Sequence, residues 1–318
     1  MEPRMNPRSL LVTADDFGIG METSCGILDL AAIGVVTSTV LLVNSPHAAD
    51  SVRLWLAQGQ PLELGWHPCL TLDSPLTPPD KIRSLVDGNG RFLHLGTFLR
   101  KMLRGQIVEA EIETELRAQY ERFRELVGQV PMNVNGHHHV HIFGPVRRAL
   151  CNILREQHPR PYVRRVVETS RTLLRVRGAR LKRSLLSRFG GRAIRHQAEA
   201  GWPGNDALIG ITDPPYVHAA DFLPNWIANA KGNCVELTCH PGYLDSSIEG
   251  RDGTFADGQL HRRAAEWERL RDPTYRAAVH AAGFTFATAA ELAGKLPKPG
   301  QHSRGLDRVG RFRLHARR

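Results

Sequence analysis

SLLVTADDFG, residues 9–18, is the stretch on which the reading of the chain turns. A short apolar run passes straight into two carboxylates and a glycine. This predicts a buried strand over residues 9–13 with Asp15 and Asp16 at its C-terminal end. Neighbours on a strand face opposite ways, but where the chain turns both can reach one site. One carboxylate could then hold a metal ion while the other takes a proton from water. The plainer alternative is a pair of turn-formers capping the next helix.

The pattern repeats along the chain. Residues 37–43 (TSTVLLV) are β-branched and end at Asn44. Residues 62–66 end in His67-Pro68, and residues 131–135 run into GHHHVH, residues 136–141. Residues 162–167 and 207–212 follow, then 234–239 ending in His240-Pro241, then 284–287. Helical stretches are expected over 21–32, 48–58, 108–127, 145–157, 221–230, 262–270, 273–282 and 289–296. In 108–127 the spacing of Ile112, Leu116, Phe123 and Leu126 is that of one helix face. The polar stretch with Pro75, Pro78, Pro79 and Asp87-Gly88-Asn89-Gly90 reads as loop with turns. Eight strands alternating with helices predict an α/β fold, an irregular, TIM-like (β/α) barrel with a basic helical insertion. An open doubly wound sheet is the alternative. One catalytic domain is expected over residues 1–296, with an Arg-rich insertion at 160–200. Residues 297–318 lack periodicity and read as a basic, disordered tail.

The 318 residues carry 42 Lys+Arg and 32 Asp+Glu, for a formal net charge of +10. That charge is concentrated. Residues 160–195 hold 12 bases and one acid, residues 295–318 hold 8 bases and one acid, and the rest of the chain nets −8. A nucleic-acid partner is therefore not expected from the high pI. Five cysteines, with no CxxC pair, fit reduced thiols in the cytoplasm. No apolar run of about 18 residues occurs, so no transmembrane helix is expected. Residues 1–8 carry Pro and Arg and no apolar run of signal-peptide length, so no signal peptide is expected.

The strand ends carry the chemistry. Side chains just past the C-terminal ends of parallel barrel strands converge on one face. There the chain offers Asp15-Asp16, His67, the histidine run and His240. In an extended run His137, His139 and His141 would share a face, opposite His138. Two neutral imidazoles and one carboxylate suit a divalent ion used for hydrolysis. Zn²⁺ is the default, and Mg²⁺, Ni²⁺, Co²⁺ or Mn²⁺ are alternatives. GxGxxG, P-loop, GxSxG and HExxH motifs are absent. A glycosidase pair drawn from Asp15, Asp16 and Glu236 would leave the histidines unexplained.

TADDFGIG, VTST with Asn44, LGWH, GHHHVH and CHPGY, in this order, resemble the YdjC/ChbG-type carbohydrate deacetylases, from about residue 9 to 292. The resemblance implies an irregular (β/α) barrel that removes N-acetyl groups from amino sugars with a metal held by one Asp and two His. By motif it implies Asp16, His67 and His137 as metal ligands and Asp15 as general base. His240 is implied as general acid or oxyanion stabiliser. Asn135-Gly136 before the histidines is more similar to the hopanoid-associated branch, which implies a glycolipid rather than a simple chito-oligosaccharide.

Residues 171–190 mix six large apolar residues with seven Arg/Lys. They can form amphipathic helices that lie on anionic membrane, placing the protein at the inner face, or a helical excursion packed on the barrel. A homodimer is compatible with either. Two other function classes stand beside the deacetylase: a metal-dependent phosphoesterase, and a non-catalytic sugar- or lipid-binding module with a structural ion.

Overall fold

The computed structural model describes residues 8–251 and 253–294. The expected tail at 297–318 lies outside them. β1 (Arg8–Phe17) is the longest strand and the centre of the sheet. It alternates with period two. Leu10, Val12 and Ala14 join the large apolar core beneath the helices, whereas Leu11 packs inside the barrel with Tyr162 and Ala287. Thr13 and Asp15 share the inward face with Leu11.

The other strands are β2 (Ser38–Leu41), β3 (Glu63–Trp66), β4 (Asn133–Val134), β5 (Tyr162–Val163), β6 (Ala207–Ile209), β7 (Cys234–Cys239) and β8 (Phe284–Ala287). All pairings are parallel, in the order β5-β4-β3-β2-β1-β7-β6, with β8 on the first residues of β1. Among the described residues no ladder joins β5 to β6. Two backbone hydrogen bonds bring these edges together: Val163 N–H donates to Pro203 O (2.8 Å) and Leu208 N–H to Val167 O (2.7 Å). The sheet is thus curled into a distorted barrel.

The helices are α1 (Met21–Ala32), α2 (Ala48–Ala57), α3 (Leu95–Leu103), α4 (Glu109–Val127), α5 (Gly144–Leu154), α6 (Ser170–Arg175), α7 (Arg180–Glu199), α8 (Pro214–Val217), α9 (Phe222–Asn229), α10 (Gln259–Arg271), α11 (Pro273–Ala281) and α12 (Ala289–Gly294). The N-terminal end of the barrel is plugged by α12. Its Ala289 and Leu292 pack on Leu11 and Tyr162, and Glu63 accepts the Ala289 and Ala290 amides. The five cysteines are free thiols.

Two expectations need correction. The residues after the Pro75–Gly90 loop, for which no helix was expected, contain α3, whose Leu95, Phe98, Leu99 and Met102 repeat at helical spacing and whose Phe98 is fully buried. The histidine run is not extended. It forms a 3-10 turn, His137–Ile142, with His138 and His139 at φ of 52° and 57°. The four rings therefore do not alternate between two faces.

Candidate active site

Asp15 and Asp16 lie at an irregularity of β1, where the register to β2 shifts between Ala14 and Phe17. Asp16 is left-handed, at φ 67°. That conformation is costly for a residue with a side chain. It turns the chain so that adjacent carboxylates share one cavity instead of facing opposite sides of the sheet.

Asp16 Oδ1 lies 3.3 Å from His67 Nε2 and 3.1 Å from His137 Nδ1. One donor atom from each of the three lies within 4.8 Å of the others, and all three residues are buried. His67 follows β3, whose Trp66 is fully buried edge-on to Tyr120. His67 Nδ1 is 2.7 Å from the Asn135 carbonyl. A carbonyl only accepts, so Nδ1 carries the hydrogen and Nε2 turns its lone pair toward Asp16. Two acceptors facing each other at this distance, in a buried site, suit a cation between them. Fixing a ligand imidazole through its far nitrogen is the usual support of such a centre. Arg263 donates to Asp16 Oδ2 at 2.6 Å. Burial would raise the Asp16 pKa, but the Arg263 guanidinium beside it holds it well below the usual carboxylate range.

Asp15 has different partners. Arg164 grips it with two parallel bonds, 2.6 and 2.8 Å long, and Thr238 Oγ1 donates at 3.0 Å. Against the opposing effect of burial, Arg164 keeps Asp15 ionised well below its ordinary range. Arg164 also donates through Nε to Glu236 (2.7 Å), which accepts from Thr13 and Tyr162 as well. A buried guanidinium thus bridges two buried carboxylates beneath the cavity, and each charge has a partner.

His240, after β7, places Nε2 4.0 Å from Asp15 Oδ2. Its Nδ1 lies 3.2 Å from Arg262 Nη2, an obligate donor, so the ring hydrogen is on Nε2 and faces the cavity. Burial first, then Arg262, lowers its pKa. The five residues expected from the sequence are thus brought together.

The remaining histidines divide. His138 lies against His137, ring centroids 4.0 Å apart, with Nδ1 2.9 Å from Thr71 Oγ1. His141 is taken up by backbone: it accepts from Gly136 N–H and lies 3.1 Å from the Arg164 carbonyl. His139 lines the cavity. Arg164 was missed in the sequence, and Glu236 was weighed there only for a glycosidase pair and left out of the site. The signal for Arg164 was a charge two residues after Tyr162 on the same expected strand face, hidden by the arginines around it.

The cavity above these groups has a volume of about 1080 Å³. One wall is α7, the helix of the basic segment, and another is α3. The segment expected as an insertion therefore supplies both Arg164 and a wall of the site.

The family model described as YdjC-like protein matches residues 9–281. A carbohydrate deacetylase of Danio rerio is 29% identical over 299 residues, covering 83% of this chain and 92% of its own. A chitooligosaccharide deacetylase of Klebsiella pneumoniae (strain 342) is 30% identical over 285 residues, covering 88% and 98%. A solved Enterococcus faecalis V583 structure, described in terms of cellobiose-phosphate cleavage, superposes with a TM-score of 0.70 at 22% identity. It covers 90% of this chain and 99% of that one, and the likeness shows the fold.

Proposed function

The chain belongs to the YdjC-like protein family, and on that footing we propose that it is a metal-dependent deacetylase removing the N-acetyl group of an amino sugar. The observation that carries this reading is the buried Asp16–His67–His137 cluster with a second carboxylate, Asp15, beside it. Asp16, His67 Nε2 and His137 Nδ1 would hold the divalent ion, and Zn²⁺ suits one oxygen and two nitrogen donors. When bound, such an ion acidifies a water and polarises an amide carbonyl.

The protein's own groups handle the proton. Asp15 accepts it from the attacking water as the C–O bond forms. A carboxyl held at low pKa by Arg164 is a strong acid once protonated, so it readily gives that proton to the amine nitrogen as the C–N bond breaks. Acetate and the free amine leave. His240, kept neutral by burial and Arg262, donates its Nε2–H to the developing oxyanion, the role that fits a neutral imidazole better than that of acid.

The lining supports a substrate with an apolar tail. Leu95, Leu99 and Met102 of α3 line the cavity together with Leu186 and Phe189 of α7. An N-acetylated glycolipid is expected to have a lower KM than its sugar head alone, with kcat little changed, because tail binding is uniform along the reaction. The test is acetate release from N-acetylated amino sugars and glycolipids, with and without chelator, beside a phosphodiester control. Chelator-sensitive acetate release is expected. Phosphodiester cleavage in its place, or acetate release indifferent to chelator, would overturn the reading.

A further inference from the structure

Three of the ten large apolar side chains that stand exposed among the described residues line the cavity. Leu103 at the end of α3 is 81% exposed, and Leu181 and Leu185 on α7 are 77% and 49% exposed. All three line the same cavity. These are among the most exposed large apolar side chains described, and they come from two separate helices that line one cavity.

The charges on the two helices are nearly all positive, with Asp213 accepting the Ala179 N–H at the start of α7. Arg100 and Arg104 flank Leu103, and Arg180, Arg188, Arg192 and Arg195 accompany the α7 leucines, all exposed. α3 contains no acid, and the one acid of α7 is Glu199, in its last turn. Glu168, the nearest acid before α7, is taken up by the buried Arg183. Leucines at the rim with arginines beside them form an amphipathic surface of the kind that enters the headgroup boundary of an anionic bilayer.

We propose that the mouth of this cavity docks on an anionic membrane surface, α3 and α7 inserting their rim leucines. The active site then faces the bilayer, and the sugar head of a membrane lipid reaches Asp15 and Asp16 while its tail stays in the bilayer or the trough. The substrate part of this proposal rests on the deacetylase reading. The docking part does not.

Flotation with large unilamellar vesicles tests it. The full-length protein is mixed with vesicles of phosphatidylglycerol and phosphatidylcholine, or of phosphatidylcholine alone. Binding to the first and not the second is expected. In Leu103→Ser/Leu181→Ser/Leu185→Ser, binding should fall by at least about tenfold, because three leucine side chains no longer leave water. All three are exposed, and a thermal melt checks that the variant folds. Arg104→Gln/Arg188→Gln should weaken binding at low salt and flatten its salt dependence. Failure of the parent protein to float with anionic vesicles would overturn the proposal, as would equal binding of the leucine variant. Equal binding to both vesicle types would refute the electrostatic part. Acetate release from detergent-dispersed substrate, measured alongside, reports on the deacetylase reading. If it fails while flotation succeeds, the chemistry is wrong and the docking stands.

Discussion

At the scale of single residues, the GHHHVH run shows what type and spacing cannot convey. Four imidazoles in five residues signal a site, yet the left-handed backbone at His138 and His139 decides which ring reaches it. His137 faces Asp16, and His141 bridges Gly136 and Arg164. Burial, then Arg164, pushes His141 down to about 3. In the unfolded chain it titrates near its ordinary value of about 6.5. Between those values the unfolded chain binds more protons, so the contribution to stability is full above the upper value and is lost as pH falls toward the lower. His141→Gln should therefore show a shallower loss of stability on acidification from neutral, by up to about 1.4 kcal/mol per pH unit. Denaturant unfolding at a series of pH values checks this; equal slopes would contradict it. Arg164→Met leaves Asp15 and Glu236 buried without their cation, and should cost about 3–5 kcal/mol. Urea unfolding measures that loss, and a loss below about 1 kcal/mol would deny the bridge its role.

At the scale of elements, the strands ending in chemistry were the legible part. β1, β3 and β7 are apolar runs that stop at Asp or His-Pro, and a barrel turns such endings into one site. The strand ends made the positions of Asp15, Asp16, His67, His137 and His240 plausible, while their selection and roles rested on the resemblance to the deacetylase family. α3 was obscured because turn-forming Pro and Gly residues precede it, although its own apolar spacing is helical. Amphipathic helices were read over residues 171–190, where the chain forms α6 and the first half of α7, and packing on the barrel was one of two readings of them. The docking of α7 is set by close contact: a Cβ at Gly190 would lie 1.9 Å from the Val166 carbonyl oxygen, whereas one at Gly191 would meet nothing within 4 Å. Gly190→Ala must push α7 off the segment after β5 that carries Arg164, and should lower both melting temperature and turnover. Gly191→Ala should raise stability by about 0.5–1 kcal/mol, since alanine favours a helix interior. Paired melts check both; similar shifts in the two variants would refute this packing.

At the scale of the whole molecule, the net charge of +10 conceals a division that the fold puts to use. The basic segment is one wall of the cavity and the source of the cation beneath it, not an attachment to an acidic body. Among the described residues no helix is long and apolar enough to cross a membrane. The fold therefore gathers two ion-paired carboxylates with separate partners at one end of the barrel: Arg164 for Asp15 and Arg263 with two imidazoles for Asp16. The central claim is that these neighbours divide the labour, one handling the proton and the other holding the ion. Bound metal per chain and acetate release, measured together in Asp15→Asn and Asp16→Asn, test it most directly. Asp15→Asn should keep one ion per chain and lose turnover by about a hundredfold or more. Asp16→Asn should lose the ion itself. An Asp15→Asn protein that released acetate at the parent rate, or an Asp16→Asn protein that kept its ion as tightly as the parent, would contradict the account.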